Sequence, residues 1–142
     1  MEYRLNFENK FSYRPKKADK DLVCYTLVNI DENVKFNEAI DVYGMFKCYS
    51  TYNKQKKSYD CHCRSYAFYG FKYPEDLITY ARKHKKKFPQ SFKIMECIIP
   101  KKTRYAEGIF ADSDFEGYVS NTYINKDVIC EWHGTDIANM WV

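Results

Sequence analysis

Residues 21–30, DLVCYTLVNI, concentrate β-branched and aromatic side chains and predict a strand. FKIMECIIP (92–100) predicts a second strong strand, closed by Pro100. Between them, DVYGMFKCYS (41–50) reads as a strand in which Gly44 marks a bulge or a close backbone approach. VKFNEAI (34–40) fits either period, and the polar NKQKKS (53–58) reads as a hairpin loop. It leads into SYDCHCRSYAFYG, where alternation puts Tyr59, Cys61, Cys63, Ser65, Ala67 and Tyr69 on one side and Asp60, His62, Arg64, Tyr66 and Phe68 on the other.

After Gly70 the period changes. Pro74 suits a first helical turn, Glu75 and Asp76 suit the positive end of the helix dipole, and Arg82, Lys83, Lys85, Lys86 and Lys87 suit the negative end. Leu77, Tyr80, Ala81 and His84 fall at i, i+3, i+4 and i+7, so the spacing predicts one helix over about 74–87 with a single core-facing stripe. KKTRYAEGIFADSDFEGY reads as a long connection with an acidic half, and YVSNTYINKDVICEW as one or two further strands. The predicted architecture is α+β: a single domain over 21–142 with a largely antiparallel sheet under one main helix, preceded by an extended arm or irregular lead-in over 1–20.

A chain of 142 residues with 45% hydrophobic and 30% charged residues is globular and is long enough to bury a core without staples. No apolar run approaches the roughly 20 residues that cross a bilayer, so no membrane contact is predicted. Glu2 and the lack of a continuous apolar stretch at the amino terminus do not read as a secretory signal, which predicts a cytoplasmic protein with free thiols.

The net charge of +4 conceals a segregation. Residues 1–104 hold 22 of the 23 Lys and Arg and 12 of the 19 acids, whereas residues 105–142 hold one Lys and seven acids. The basic runs are RPKK (14–17), KQKK (54–57), RKHKKK (82–87) and KKTR (101–104), many with tyrosines nearby, a pattern that can neutralise phosphates and stack bases. The predicted basic contact face is Arg82, Lys83, Lys85, Lys86 and Lys87 with Lys56, Lys57, Lys101, Lys102 and Arg104. The alternative contact is acidic, Asp112, Asp114 and Glu116, whose carboxylates can imitate phosphates. Against both stands the ordinary reading of such runs as solvated surface.

Candidate chemistry is sparse. Zinc would need about four thiolate or imidazole ligands, and Cys61, Cys63, Cys130 and His133 are the candidates. Two cysteines spaced i, i+2 on a strand lie about 7 Å apart, with His62 pointing the other way. Buried strand cysteines are therefore the expectation, and no metal, cofactor or catalytic residue is assigned. Glu107 and His133 are isolated proton-transfer candidates. No nucleotide-loop, nucleophile-elbow or metalloprotease motif occurs.

At VCYTLV, YGFKYPEDLITYARK and MECIIPKKTRYAEGIF, followed by GYVS, the chain resembles a group of short uncharacterised proteins of bacteriophages and their bacterial hosts. That resemblance implies a mobile-element origin and a protein that binds and blocks a host component, such as a defence nuclease. A second resemblance, to the ADP-ribosyltransferase fold, rests on the Gly-Phe step into a helix and on His133-Gly134-Thr135, and implies an NAD-using enzyme. The catalytic E-x-E of that fold is missing, and His133 lies near the carboxyl end. The leading expectation is a non-enzymatic, phage-type accessory or inhibitor protein whose partner is a host protein or its nucleic-acid complex. An NAD-using enzyme and a nucleic-acid-binding module are the alternatives.

Overall fold

A computed structural model describes residues 7–8, 16–42, 48–55, 57–63, 67–83, 91–110 and 113–133. The strands are β1 (Phe7–Glu8), β2 (Lys16–Lys17), β3 (Leu22–Asn29), β4 (Ala39–Asp41), β5 (Cys48–Asn53), β6 (Ser58–Cys63), β7 (Phe68–Phe71), β8 (Ser91–Ile99), β9 (Arg104–Phe110), β10 (Glu116–Ser120) and β11 (Thr122–His133). One helix, α1 (Pro74–Lys83), follows β7. Nine strands form one antiparallel sheet in the order β1-β9-β10-β7-β3-β8-β11-β4, with β2 also on β9, and β5 and β6 make a separate two-stranded ribbon. The α+β architecture with one helix on an antiparallel sheet is the one the sequence predicts.

The connections force this sheet to coil. β10 ends at Ser120 and β11 begins at Thr122, yet β7, β3 and β8 lie between them in the strand order. Four strand spacings in a flat sheet would separate them by roughly 19 Å, and a single linking residue spans about 7 Å. Four residues, Pro100–Thr103, likewise carry the chain from β8 to β9. Phe68 of β7 and Tyr123 of β11 then meet as stacked rings with centroids 4.1 Å apart, although two strands separate them in the ladder. Only a sheet rolled over on itself allows that, and β7 touches β3 at one register pair, Tyr25 with Phe71.

Coiling buries opposite faces in different places. Along β8, Phe92 and Ile94 belong to a cluster with Leu27, Phe71, Phe110, Val119 and the helix residues Leu77, Ile78, Tyr80 and Ala81. One residue later the sides exchange: Met95, Cys97 and Ile99 join Ala18, Cys24, Phe68 and Tyr105 on the other face. A strongly twisted sheet is concave on one face along one diagonal and on the other face along the second, so each hollow takes its own core. The helix fills the first. Small side chains and the segment around Ala18 close the second.

The helix begins as its sequence dictates. Pro74 occupies the first turn, where its missing N–H costs nothing, and Glu75 and Asp76 lie by the positive end of the dipole. Leu77, Tyr80 and Ala81 are buried as the spacing predicts, together with Ile78, while His84 and the expected helical stretch to 87 lie outside the described residues.

Other expectations change. The predicted lead-in over 1–20 contributes β1 and β2, both paired with β9. The predicted strand over 41–50 is two elements, β4 ending at Asp41 and β5 starting at Cys48. The single strand predicted across 58–69 is also two, with β6 in the ribbon and β7 in the main sheet. The supposed connection after Pro100 holds β9, whose strand pattern is interrupted in the sequence by the adjacent Glu107 and Gly108. Glu107 is paired with Lys72, which it shares with Glu116, and Gly108 pairs with Gly117 of β10.

Gly117 makes room for aromatic rings. Phe71 and Phe110 stack at 3.8 Å between centroids, across the strip where Gly117 sits. A Cβ on Gly117 would run into the Phe110 ring and stand 2.5 Å from the Gly70 carbonyl oxygen. On the opposite face a Cβ on Gly70 would stand 2.6 Å from Cys24 Sγ. Replacement Gly117→Ala should therefore cost about 1–3 kcal/mol through overpacking. Urea unfolding should show this as a lower midpoint at unchanged slope; a midpoint equal to that of the parent chain would mean the two rings do not meet over this position.

Candidate functional site

Among the described residues, the β8–β9 turn and the segment laced to it gather six exposed cations. The backbone amide of Thr103 donates to Pro100 O (3.1 Å), which closes a four-residue turn with Lys102 at its third position, φ 74°. Positive φ there belongs to a type II turn, in which glycine is the residue of choice. A lysine in that conformation carries strain of about 1 kcal/mol or more.

The lead-in is laced to this turn. Ala18 N donates to Thr103 O (2.9 Å), Lys102 N donates to Ala18 O (2.8 Å), and Lys101 N donates to the Asp21 carboxylate (2.8 Å). Next to them β2 pairs Lys16 with Tyr105 and Lys17 with Arg104. Lys16, Lys17, Lys20, Lys101, Lys102 and Arg104 are thus gathered at one corner, all exposed, against Asp19 and Asp21. None of the six is ion-paired with a described residue, whereas Lys72 and Lys126 are.

Lys72 shows what a committed cation looks like. Its Nζ lies 3.3 Å from Glu107 Oε2 and 3.4 Å from Glu116 Oε2, and 5.3 Å from the centre of the Tyr118 ring. Burial alone would lower its pKa, but Tyr118, Glu107 and Glu116 outweigh burial and raise it. A second satisfied group lies on the helix side: Tyr25 Oη donates to Glu96 Oε1 (3.4 Å), and Lys126 Nζ lies 3.6 Å from Glu96 Oε2. Burial first, then Glu96, raises the Tyr25 pKa.

The expected site residues are therefore dispersed. Lys101, Lys102 and Arg104 belong to the corner, with Lys16, Lys17 and Lys20 beside them. Arg82 and Lys83 end α1, a separate element. Lys57 is exposed in the ribbon loop, and Lys56, Lys85, Lys86 and Lys87 lie outside the described residues. Of the acidic alternative, Asp112 lies outside them, Asp114 is exposed, and Glu116 is bound to Lys72. Glu107, a proton-transfer candidate, is also held by Lys72, on β9, while His133 pairs with Ser91 at the end of β11. Cys130 packs against the helix-side core, and Cys61 and Cys63 belong to the ribbon.

No protein-family model, curated protein or solved structure matches the chain. The reading of the site thus rests on its geometry. Lys16 and Lys17 joining Arg104 depends on the antiparallel register of β2 on β9, which no sequence spacing encodes. Their shared basicity was the one legible signal.

The core thiols are chemically quiet. Cys24 and Cys97 face each other across β3 and β8, both fully buried, and Cys97 Sγ lies 3.2 Å from Asn125 Oδ1 as a weak donor. Burial, then the neighbouring Cys97, holds the Cys24 thiol well above its ordinary pKa; burial, then Glu96, raises Cys97. Burial pushes Cys130 up to about 11 and, with smaller contributions from Cys97 and Glu32, Tyr123 to about 12. At about pH 8 the Cys130 thiolate fraction should be roughly a hundredfold below that of an ordinary cysteine. Alkylation kinetics followed by peptide mapping check this; labelling of Cys130 at the rate of a free thiol would contradict it. Because these acids keep protons that the unfolded chain releases, stability holds below about pH 9 and declines from there as pH rises toward 12.

Proposed function

We propose that this chain is a non-enzymatic recognition protein of phage type that docks on a host nucleic-acid complex through the basic corner of Lys16, Lys17, Lys20, Lys101, Lys102 and Arg104. One observation carries the reading. Two segments some 80 residues apart in sequence are laced by three hydrogen bonds so that six exposed cations, none ion-paired with a described residue, share one corner. Lys72 and Lys126 are matched by carboxylates; these six have no ion pair with a described residue and are left for solvent or a partner.

Lys102 adds to the argument. A position that favours glycine instead holds a lysine, and strain retained at a turn is explained where the side chain has a task. The backbone lacing also fixes the cations before any partner arrives, which reduces the ordering cost of binding. Phosphates are the natural counterpart of such a cluster, and the resemblance to short phage-borne proteins supports a host target.

The test is binding to fluorescent single-stranded and duplex oligonucleotides. Affinity should fall on the order of a hundredfold or more between about 50 and 200 mM salt. Lys101→Glu with Lys102→Glu should abolish binding. Lys102→Gly should weaken binding while keeping or raising thermal stability, because glycine relieves the positive φ. Binding unchanged by salt and by charge reversal would reject the proposal. Capture of a host protein that survives nuclease treatment but is lost on charge reversal would replace the nucleic acid with an acidic protein surface.

A further inference from the structure

The ribbon places a second pair of cysteines opposite one another. In the antiparallel pairing of β5 with β6, Cys48 is the register partner of Cys63, and Cys61 that of Ser50. Directly opposed residues in antiparallel strands have Cα atoms about 4.5–5.5 Å apart. That interval lies inside the roughly 4.4–6.8 Å range over which a disulfide closes without moving the backbone. Cys61, two residues from Cys63 on one strand, is about 7 Å away along the strand. The register thus selects one pair among three nearby cysteines.

From this juxtaposition we propose that Cys48 and Cys63 form a redox modification site, a cross-strand disulfide that pins the ribbon when glutathione disulfide is present. The thiolate of one cysteine attacks a sulfur of glutathione disulfide, forming a mixed disulfide and releasing one glutathione. The second cysteine, as thiolate, then attacks the protein sulfur of that mixed disulfide, closes the Cys48–Cys63 bond and releases the second glutathione. The two protein thiols together lose two protons and two electrons, and the oxidant is reduced to two thiols.

The contrast with Cys24 and Cys97 explains why this pair should react. Those two are also register partners, but they are sealed beneath Gly70 and beside Asn125, with thiols kept protonated by burial. Among the described residues, Cys48 and Cys63 are carried by a two-stranded sheet. A two-stranded ribbon, even one resting on β1, opens locally at less cost than the nine-stranded sheet.

The experiment equilibrates the folded Cys61→Ser variant in graded mixtures of reduced and oxidised glutathione, quenches with an alkylating reagent and maps peptides by mass spectrometry. The expected product is a single Cys48–Cys63 crosslink, lighter by two hydrogens, with Cys24 and Cys97 reduced. Oxidation should slow hydrogen exchange of the β5–β6 amides by about tenfold or more, since the crosslink removes open states. The chain with Cys61 restored should give the same crosslink. In the denatured chain the preference should vanish, which ties the pairing to the ribbon register. Full alkylation of Cys48 and Cys63 in the most oxidising mixture, a crosslink to another cysteine, or the same Cys48–Cys63 preference in denatured chain would overturn the proposal.

Discussion

The structure depends on one close approach, that of β7 across the sheet formed by β3, β8 and β11. Because Asn121 alone joins β10 to β11, the strands on either side of the strand order have to be brought back over one another. Contact at that crossing requires small groups, and Gly70 against Cys24 provides them. Phe68 then reaches Tyr123 and closes the hollow. A larger residue at Gly70 would meet the sulfur of Cys24 before any loop could adjust, so the coil and the small residues specify each other. The same curvature opens the opposite hollow for α1, and Phe71 and Phe110 close it from the sheet side by stacking across Gly117.

The coil also decides where charge can go. Two cations beside the cores are matched: Lys72 with Glu107 and Glu116, Lys126 with Glu96. These pairs are half-exposed, and such contacts are worth little to stability by themselves. Their effect is to leave carboxylates of the acidic carboxyl-terminal part occupied. The charge segregation seen in the chain is therefore partly neutralised inside the molecule, while six exposed cations with no ion pair to a described residue stand at and beside the β8–β9 turn.

Much of the fold was legible in the sequence because its strongest elements obey local rules. β3 and β8 announce themselves by β-branched residues, and α1 by Pro74, its acidic first turn and its apolar stripe. What local rules could not supply was the point at which a strand leaves one sheet for another. SYDCHCRSYAFYG reads as one run, yet β6 ends at Cys63 and β7 starts at Phe68 in a different sheet. β9 escaped notice for a related reason: the adjacent Glu107 and Gly108 break the alternation that marks a strand, and their partners, Lys72 and Gly117 of β10, are not neighbours in the local sequence. The candidate site was half visible. Lys101, Lys102 and Arg104 stand out as a run, while Lys16 and Lys17 join them only through pairing with β9.

The basic corner and the coil are one piece of structure. The turn that displays Lys101 and Lys102 is the short link that returns the chain from β8 to β9, and its hydrogen bonds to Ala18 and Asp21 hold the start of β3 in place. Ala18 itself is buried against Cys24 and Tyr105, so the surface cations are anchored through a residue of the inner core. A recognition surface built on a loop can move without disturbing the fold. One built on this corner cannot, because displacing it would loosen the same contacts that keep the sheet rolled. Rigidity at that place is inherited from the fold, since the hydrogen bonds that keep the sheet rolled also set the backbone positions of these charges.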